Sequence, residues 1–243
     1  MKAGDIIMDE PYVHKIFIGK AKQLGDSNAT KPMDKPWVTG IFKNECTGKV
    51  WLGKTGFIGD EVGDKKNHGG PEKAVFTYPI KHYTYWKEEL ALESIDMGGM
   101  GENFAVLEMD EFTVFIGDTF KVGDAVIQVS QPRQPCWRPA RRFGIVDLAL
   151  RIQNTGFTGW YFRVLQEGYV QAGSDMQLME RPYPQWSIAA CNEVMHVYKD
   201  DLRMADDLAS CELLAVNWKR TLNKRLRGQA SNVAKRVYGP NKD

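Results

Sequence analysis

Up to about residue 182, apolar side chains come in short runs of β-branched and aromatic residues. Residues 13–18, 74–78 and 125–129 have the length and composition of strands. Glycine–acid pairs at Gly59-Asp60, Gly63-Asp64, Gly117-Asp118 and Gly123-Asp124 punctuate them. Many short strands joined by glycine turns predict a closed barrel or sandwich, because closure hides the unpaired edges of a sheet. No self-similar solenoid period is present.

Two helices interrupt the β pattern. Pro79 is placed as the first-turn residue of one, with His82, Trp86 and Leu90 recurring on one face. His82 then reads as a packing residue. A second helix is predicted over 145–152, with Gly156 beyond its end. After the Pro182-Tyr183-Pro184 break the period changes to helical. Ser187 caps a helix carrying Ile188, Cys191 and Met195, and Asp201 caps one carrying Leu202, Ala205, Leu208 and Ala209. A third contains Trp218, Leu222 and Leu226 and stops near Gly228. The reading is therefore mainly β with α: a barrel over 1–183 and a small three-helix domain over 184–243.

Composition adds exclusions. The chain has 243 residues, 43% hydrophobic and 26% charged, enough to bury a core without a structural metal. A net charge of +1 gives no reason to expect wholesale nucleic-acid or membrane binding. No apolar run approaches membrane-spanning length. The N-terminal segment is broken by acids and does not read as a signal peptide, so the expected location is cytoplasmic. Cys46, Cys136, Cys191 and Cys211 are too scattered for a zinc site. Cys191 and Cys211 fall on the predicted helices as packing residues.

One cysteine stands apart. Cys136 lies in Ser130-Gln131-Pro132-Arg133-Gln134-Pro135-Cys136-Trp137-Arg138-Pro139, where three prolines argue for a stiff loop at a strand exit. Arg133, Arg138, Arg141 and Arg142 surround it in sequence, and nearby cations favour thiolate over thiol. Two glycine-rich segments also invite a ligand. Asn67-His68-Gly69-Gly70-Pro71, preceded by Lys65 and Lys66, has the makings of an anion cradle, though a glycine pair before proline is also an ordinary turn. Gly101-Glu102-Asn103 sets a carboxylate beside an amide, suited to a polar heterocycle or to a turn of its own.

These segments, in this order, resemble the MOSC-domain family, and within it a YiiM-like subgroup of 6-N-hydroxylaminopurine reductases. Gly59-Asp60, Lys66 to Pro71, Tyr78-Pro79, Gly101-Glu102-Asn103, Ile116-Gly117-Asp118 and 127–136 carry the resemblance, continued by Gln153-Asn154-Thr155-Gly156 and Gly159-Trp160. It covers most of the chain, with core motifs over about 46–180, and is loosest over 1–45. The resemblance implies a closed β-barrel like the C-terminal barrel of pyruvate kinase, followed by three helices. It also implies a molybdenum cofactor (molybdopterin), with the Cys136 thiolate as protein ligand to molybdenum. His68, Gly69, Gly70 and Asn67 would meet the pterin or its phosphate, Arg133 would anchor it, and Glu102 and Asn103 would hold the heterocycle. Lys43 would be a further candidate contact to the phosphate.

The implied reaction converts N–OH to N–H in N-hydroxylated bases. Electrons would come from a flavoprotein reductase, since no dinucleotide-binding fingerprint is present in the chain. One alternative is a non-catalytic carrier of the cofactor or its sulfur. Another is a Cys–His hydrolase using Cys136 and His68. Between Trp218 and Gly239 lie seven cations and no acids, a candidate docking face for an acidic reductase or an ordinary solvated face.

Overall fold

The computed structural model describes residues 10–229 and 232–242. The acid-interrupted start of the chain, residues 1–9, lies outside them. The predicted run at 13–18 is β1 (Tyr12–Ile18), followed by β2 (Lys22–Leu24), β3 (Trp37–Thr39), β4 (Asn44–Glu45), β5 (Val50–Gly53) and β6 (Gly56–Phe57). A one-turn helix, α1 (Lys65–His68), leads to β7 (Val75–Pro79) and α2 (Lys81–Glu89). Then come β8 (Phe104–Leu107), β9 (Thr119–Val122) and β10 (Ala125–Pro132), and the helices α3 (Arg138–Phe143) and α4 (Leu148–Thr155). The β-rich part closes with β11 (Trp160–Gln166), β12 (Gly168–Val170) and β13 (Gln177–Glu180).

Proline chemistry differs from the sequence expectation at three places. Pro79 ends β7 opposite Val106 instead of opening a helix, and Ile80 caps α2. A proline at a strand end forfeits no needed ladder donor. Pro132 is likewise the last residue of β10, opposite Trp160, and Pro139 sits in the first turn of α3. Only 133–137 is left as loop around Cys136. The second helix begins at Leu148, three residues after its expected start, and stops at Gly156 in a left-handed conformation (φ 74°).

Eight strands form one sheet in the order β13-β9-β10-β11-β7-β8-β1-β4, antiparallel except for β7 beside β8. The sheet is curled into a half-barrel. It does not close as a ladder: the free edge of β1 meets residues 173–176 through one isolated bridge, Tyr12 to Asp175, and loop hydrogen bonds such as Val13 N to Ser174 O (2.9 Å). The separate strands β5, β6 and β12 form a small second sheet, and β2 pairs with β3. The expected closed barrel is thus an open curled sheet with a loop-stitched seam.

Alternation along the strands sends side chains to two cores. In β11, Trp160, Phe162 and Val164 enter the main core, while Tyr161 packs on the other face with Phe76, Tyr83, Ala140, Leu148 and Ile152. Both faces of β7 are covered, so all five of its residues are buried.

The C-terminal helices are α5 (Ile188–His196), α6 (Leu202–Ala209), α7 (Val216–Leu226) and a further short one, α8 (Val233–Val237). The predicted caps are in place: Ser187 Oγ accepts from Ala190 N and Asp201 from Met204 N. The inward faces of α5 to α7 (Ile188, Cys191, Leu208, Trp218, Leu222) belong to the same hydrophobic cluster as β10 and β11. Trp218 Nε1 donates to Pro132 O at 3.1 Å, tying α7 to the strand that delivers Cys136.

Candidate functional site: a thiolate pocket at the end of the curled sheet

Where β10 leaves the sheet and β7, β8 and β11 begin, a cavity of about 380 Å3 opens. That is within the range of small-molecule sites. Cys136, His68, Gly69, Gly70, Arg133, Lys43 and Asn103 line it. Asn67 and Glu102 do not. Asn67 turns its amide onto Asp64 at the cap of α1. Glu102 is fully buried, accepting from the Tyr83 hydroxyl and from Gly98 N (2.6 Å). Burial pushes its carboxyl up despite these bonds.

Cys136 is buried, with 8% of its surface exposed, and its sulfur lies 3.3 Å from His68 Nε2. Burial alone raises a thiol pKa. Here it is outweighed by the His68 charge and hydrogen bond, the Arg133 guanidinium and the Arg138 backbone N–H, which together bring Cys136 down to about 5. Cys136 is then a thiolate at neutral pH. The other buried thiols, Cys191 and Cys211, are pushed up by burial.

Asp64 lies 3.8 Å from His68 Nδ1, beyond hydrogen-bond reach, and is held by Asn67 and by Arg138 Nη2 (3.2 Å). His68 Nδ1 has no hydrogen-bond partner among the described residues. Gly70 has φ 101°, a left-handed value that favours glycine, and a Cβ there would meet no atom within 4 Å. The turn therefore faces open space at Gly70, whereas a Cβ at Gly69 would meet Lys65 O at 3.0 Å.

Arg133 is the clearest sign of a missing partner. It is 5% exposed, its guanidinium lies 4.9 Å over the Phe76 ring, and its Nη1 has no hydrogen-bond partner among the described residues. A buried guanidinium nitrogen without an acceptor is costly unless a ligand supplies one. Lys43 is paired with Asp60, which also accepts from Asn103 Nδ2 (2.8 Å). Asn103 Oδ1 accepts from Phe76 N, so this amide is spent on holding β7 beside the loop.

Sequence reasoning passed over Tyr161 and Lys73, which also line the cavity. Burial pushes the Tyr161 hydroxyl up to about 12, so it keeps its proton across the neutral range. Strand alternation marks Tyr161 as facing away from Trp160 and Phe162, but not which loop lies opposite. Lys73 carries no sequence signal.

The pocket's contributing loops lie largely within a known domain. The MOSC-domain profile matches residues 64–177, and the profile of the YiiM-like 3-alpha helix domain matches 186–229. YflK of Bacillus subtilis, an uncharacterised protein, is 39% identical over 83% of this chain and 91% of its own. YiiM of Escherichia coli is 36% identical over 86% of this chain and 93% of its own. The chain belongs to the MOSC-domain family. A longer protein of Gibberella moniliformis named "Reductase" is 38% identical over 72% of this chain, which matches 31% of its length. The crystal structure of YiiM from Geobacillus stearothermophilus superposes with a TM-score of 0.74 at 33% identity, covering 89% of this chain and 99% of that one.

The residues of this MOSC pocket fit the molybdenum cofactor on three counts. Cys136 offers a single soft thiolate donor, which suits a metal that brings most of its own ligands. Arg133 Nη1 awaits an acceptor of the kind a pterin or phosphate offers. The open space beside Gly70 admits a group at close range to the backbone.

Proposed function

We propose that this chain binds the molybdenum cofactor through Cys136 and reduces N-hydroxylated bases such as 6-N-hydroxylaminopurine. A flavoprotein reductase is the proposed source of electrons. The observation that carries the reading is the thiolate Cys136 beside the unpartnered Arg133 guanidinium in one cavity. Overall, R–NH–OH, two electrons and two protons give R–NH2 and water. The cofactor, when bound, supplies the two-electron oxygen-removal chemistry. The chain supplies the rest. Cys136 offers a sulfur already deprotonated, Arg133 and the glycine turn orient, and His68 sets its Nε2 3.3 Å from the sulfur. Tyr161 keeps a donor proton at neutral pH, and burial of Cys136 limits water at the sulfur.

The test is molybdenum per chain, with wild type, Cys136→Ser and Arg133→Gln all purified from a cofactor-producing host. Reduction of 6-N-hydroxylaminopurine with a chemical reductant is then assayed. Stoichiometric metal and turnover in wild type, both lost in Cys136→Ser, is the expected result. Metal retained without turnover would favour a carrier. Equal metal in wild type and Cys136→Ser removes the ligand role.

The 3.3 Å contact between Cys136 and His68 favours a second reading, a thiol nucleophile with its own base. Against it, Asp64 stands too far from Nδ1 to orient the imidazole. Turnover of an activated ester by metal-free protein, abolished by His68→Ala, would support that reading.

A further inference from the structure

The last described segment of the chain, beyond the matched three-helix domain, grips both sides of Cys136. The Arg236 guanidinium donates to the Pro135 carbonyl and to Gln153 Oε1. On the other side, Trp137 N donates to Arg236 O at 3.1 Å and Asn241 Nδ2 donates to Trp137 O at 3.0 Å. Asn241 Oδ1 in turn accepts from Arg141 Nε (2.7 Å), so the segment is also fastened to α3. Gly239, at φ 51°, presses on the indole: a Cβ there would stand 2.1 Å from Trp137 Cδ1. That ring also meets Trp37, with centroids 5.8 Å apart, and the Arg141 guanidinium at 4.9 Å.

We propose that residues 232–242 act as a clamp on the Cys136 loop, with Arg236 fixing the backbone at Pro135 and Trp137. The loop needs such support because 133–137 belongs to no strand or helix. Its backbone groups at Pro135 O, Trp137 N and Trp137 O are met by the segment and not by the sheet. A guanidinium suits the task, since its fork reaches the Pro135 carbonyl and Gln153 at once.

Hydrogen exchange of the full chain tests the clamp, comparing the peptide spanning 133–140 among wild type, Gly239→Val and Arg236→Gln. A clamp predicts exchange in that peptide at least about tenfold faster in both variants, with strands β7 and β11 unchanged, since one lost hydrogen bond of ordinary strength is worth about that factor. Unchanged exchange in both variants overturns the clamp. Faster exchange spread equally over 133–140, β7 and β11 shows a general loss of stability and overturns it as well.

Discussion

At the scale of single residues, the chemistry of the pocket turns on which neighbours of Cys136 in sequence are neighbours in space. Four arginines flank it, yet α3 splays them apart. Arg133 and Arg138 stay by the cavity, while Arg141 donates to Lys35 O and Pro32 O, and Arg142 to Ile41 O and Gly98 O. The strongest influence favouring the thiolate, against burial, comes instead from His68, 68 residues away in sequence. His68→Gln should therefore move the alkylation midpoint of Cys136 from about 5 toward the ordinary thiol range. The difference in thiolate fraction is greatest around pH 6 to 7, where the wild type is already thiolate and the variant is not. A midpoint that stays near 5 would show that Arg133 and the Arg138 backbone suffice. Cys136 was thus legible from its prolines and arginines, whereas its partner was not, because nothing local connects α1 to the exit of β10.

Elements were legible where a local device specifies them. Ser187 and Asp201 announce α5 and α6 through capping that needs only the next three residues. Ser187→Ala should cost about 1 kcal/mol in urea unfolding. A loss near zero would mean that the packing of Ile188 and Cys191 alone sets the start of the helix. Short strands such as β4 and β6, two residues each, are defined by partners far along the chain and have no periodic signature. Glu102 and Asn103 show the same limit. Side by side in a glycine-rich turn they read as one recognition pair, but strand entry sends one to Tyr83 and the other to Asp60. The basic run of the C-terminal helices is also less uniform than its sequence. Arg225 donates to Val194 O and Met195 O, Arg236 belongs to the clamp, and Arg220, Lys224, Arg227 and Lys235 are the exposed members.

On the scale of the whole molecule, the sheet and the C-terminal helices share one core. Trp218, fully buried between them, should cost about 3–5 kcal/mol when replaced by alanine. Its loss should lower a single unfolding transition. Two separate transitions in the wild type would show the helices to be an independent unit. Acid should act on the same assembly through His196. Burial, with help from Arg236, Lys199 and Arg225, pulls this histidine from 6.5 to about 3. The unfolded chain takes up that proton first, so stability falls as pH drops from about 6.5 toward 3. His196→Gln should flatten that decline, as measured by urea midpoints across the window. Arg133 bears on stability from the opposite direction. A protein that folds around a guanidinium with a nitrogen still seeking an acceptor is most stable only once its ligand arrives. Its melting temperature therefore becomes a detector. A compound present at about a hundred times its dissociation constant adds about 2.7 kcal/mol, and in Arg133→Gln that gain should shrink for the molecules that satisfy Nη1. Heating the protein with candidate pterins and phosphates would rank what the cavity is built to receive, before any turnover is observed.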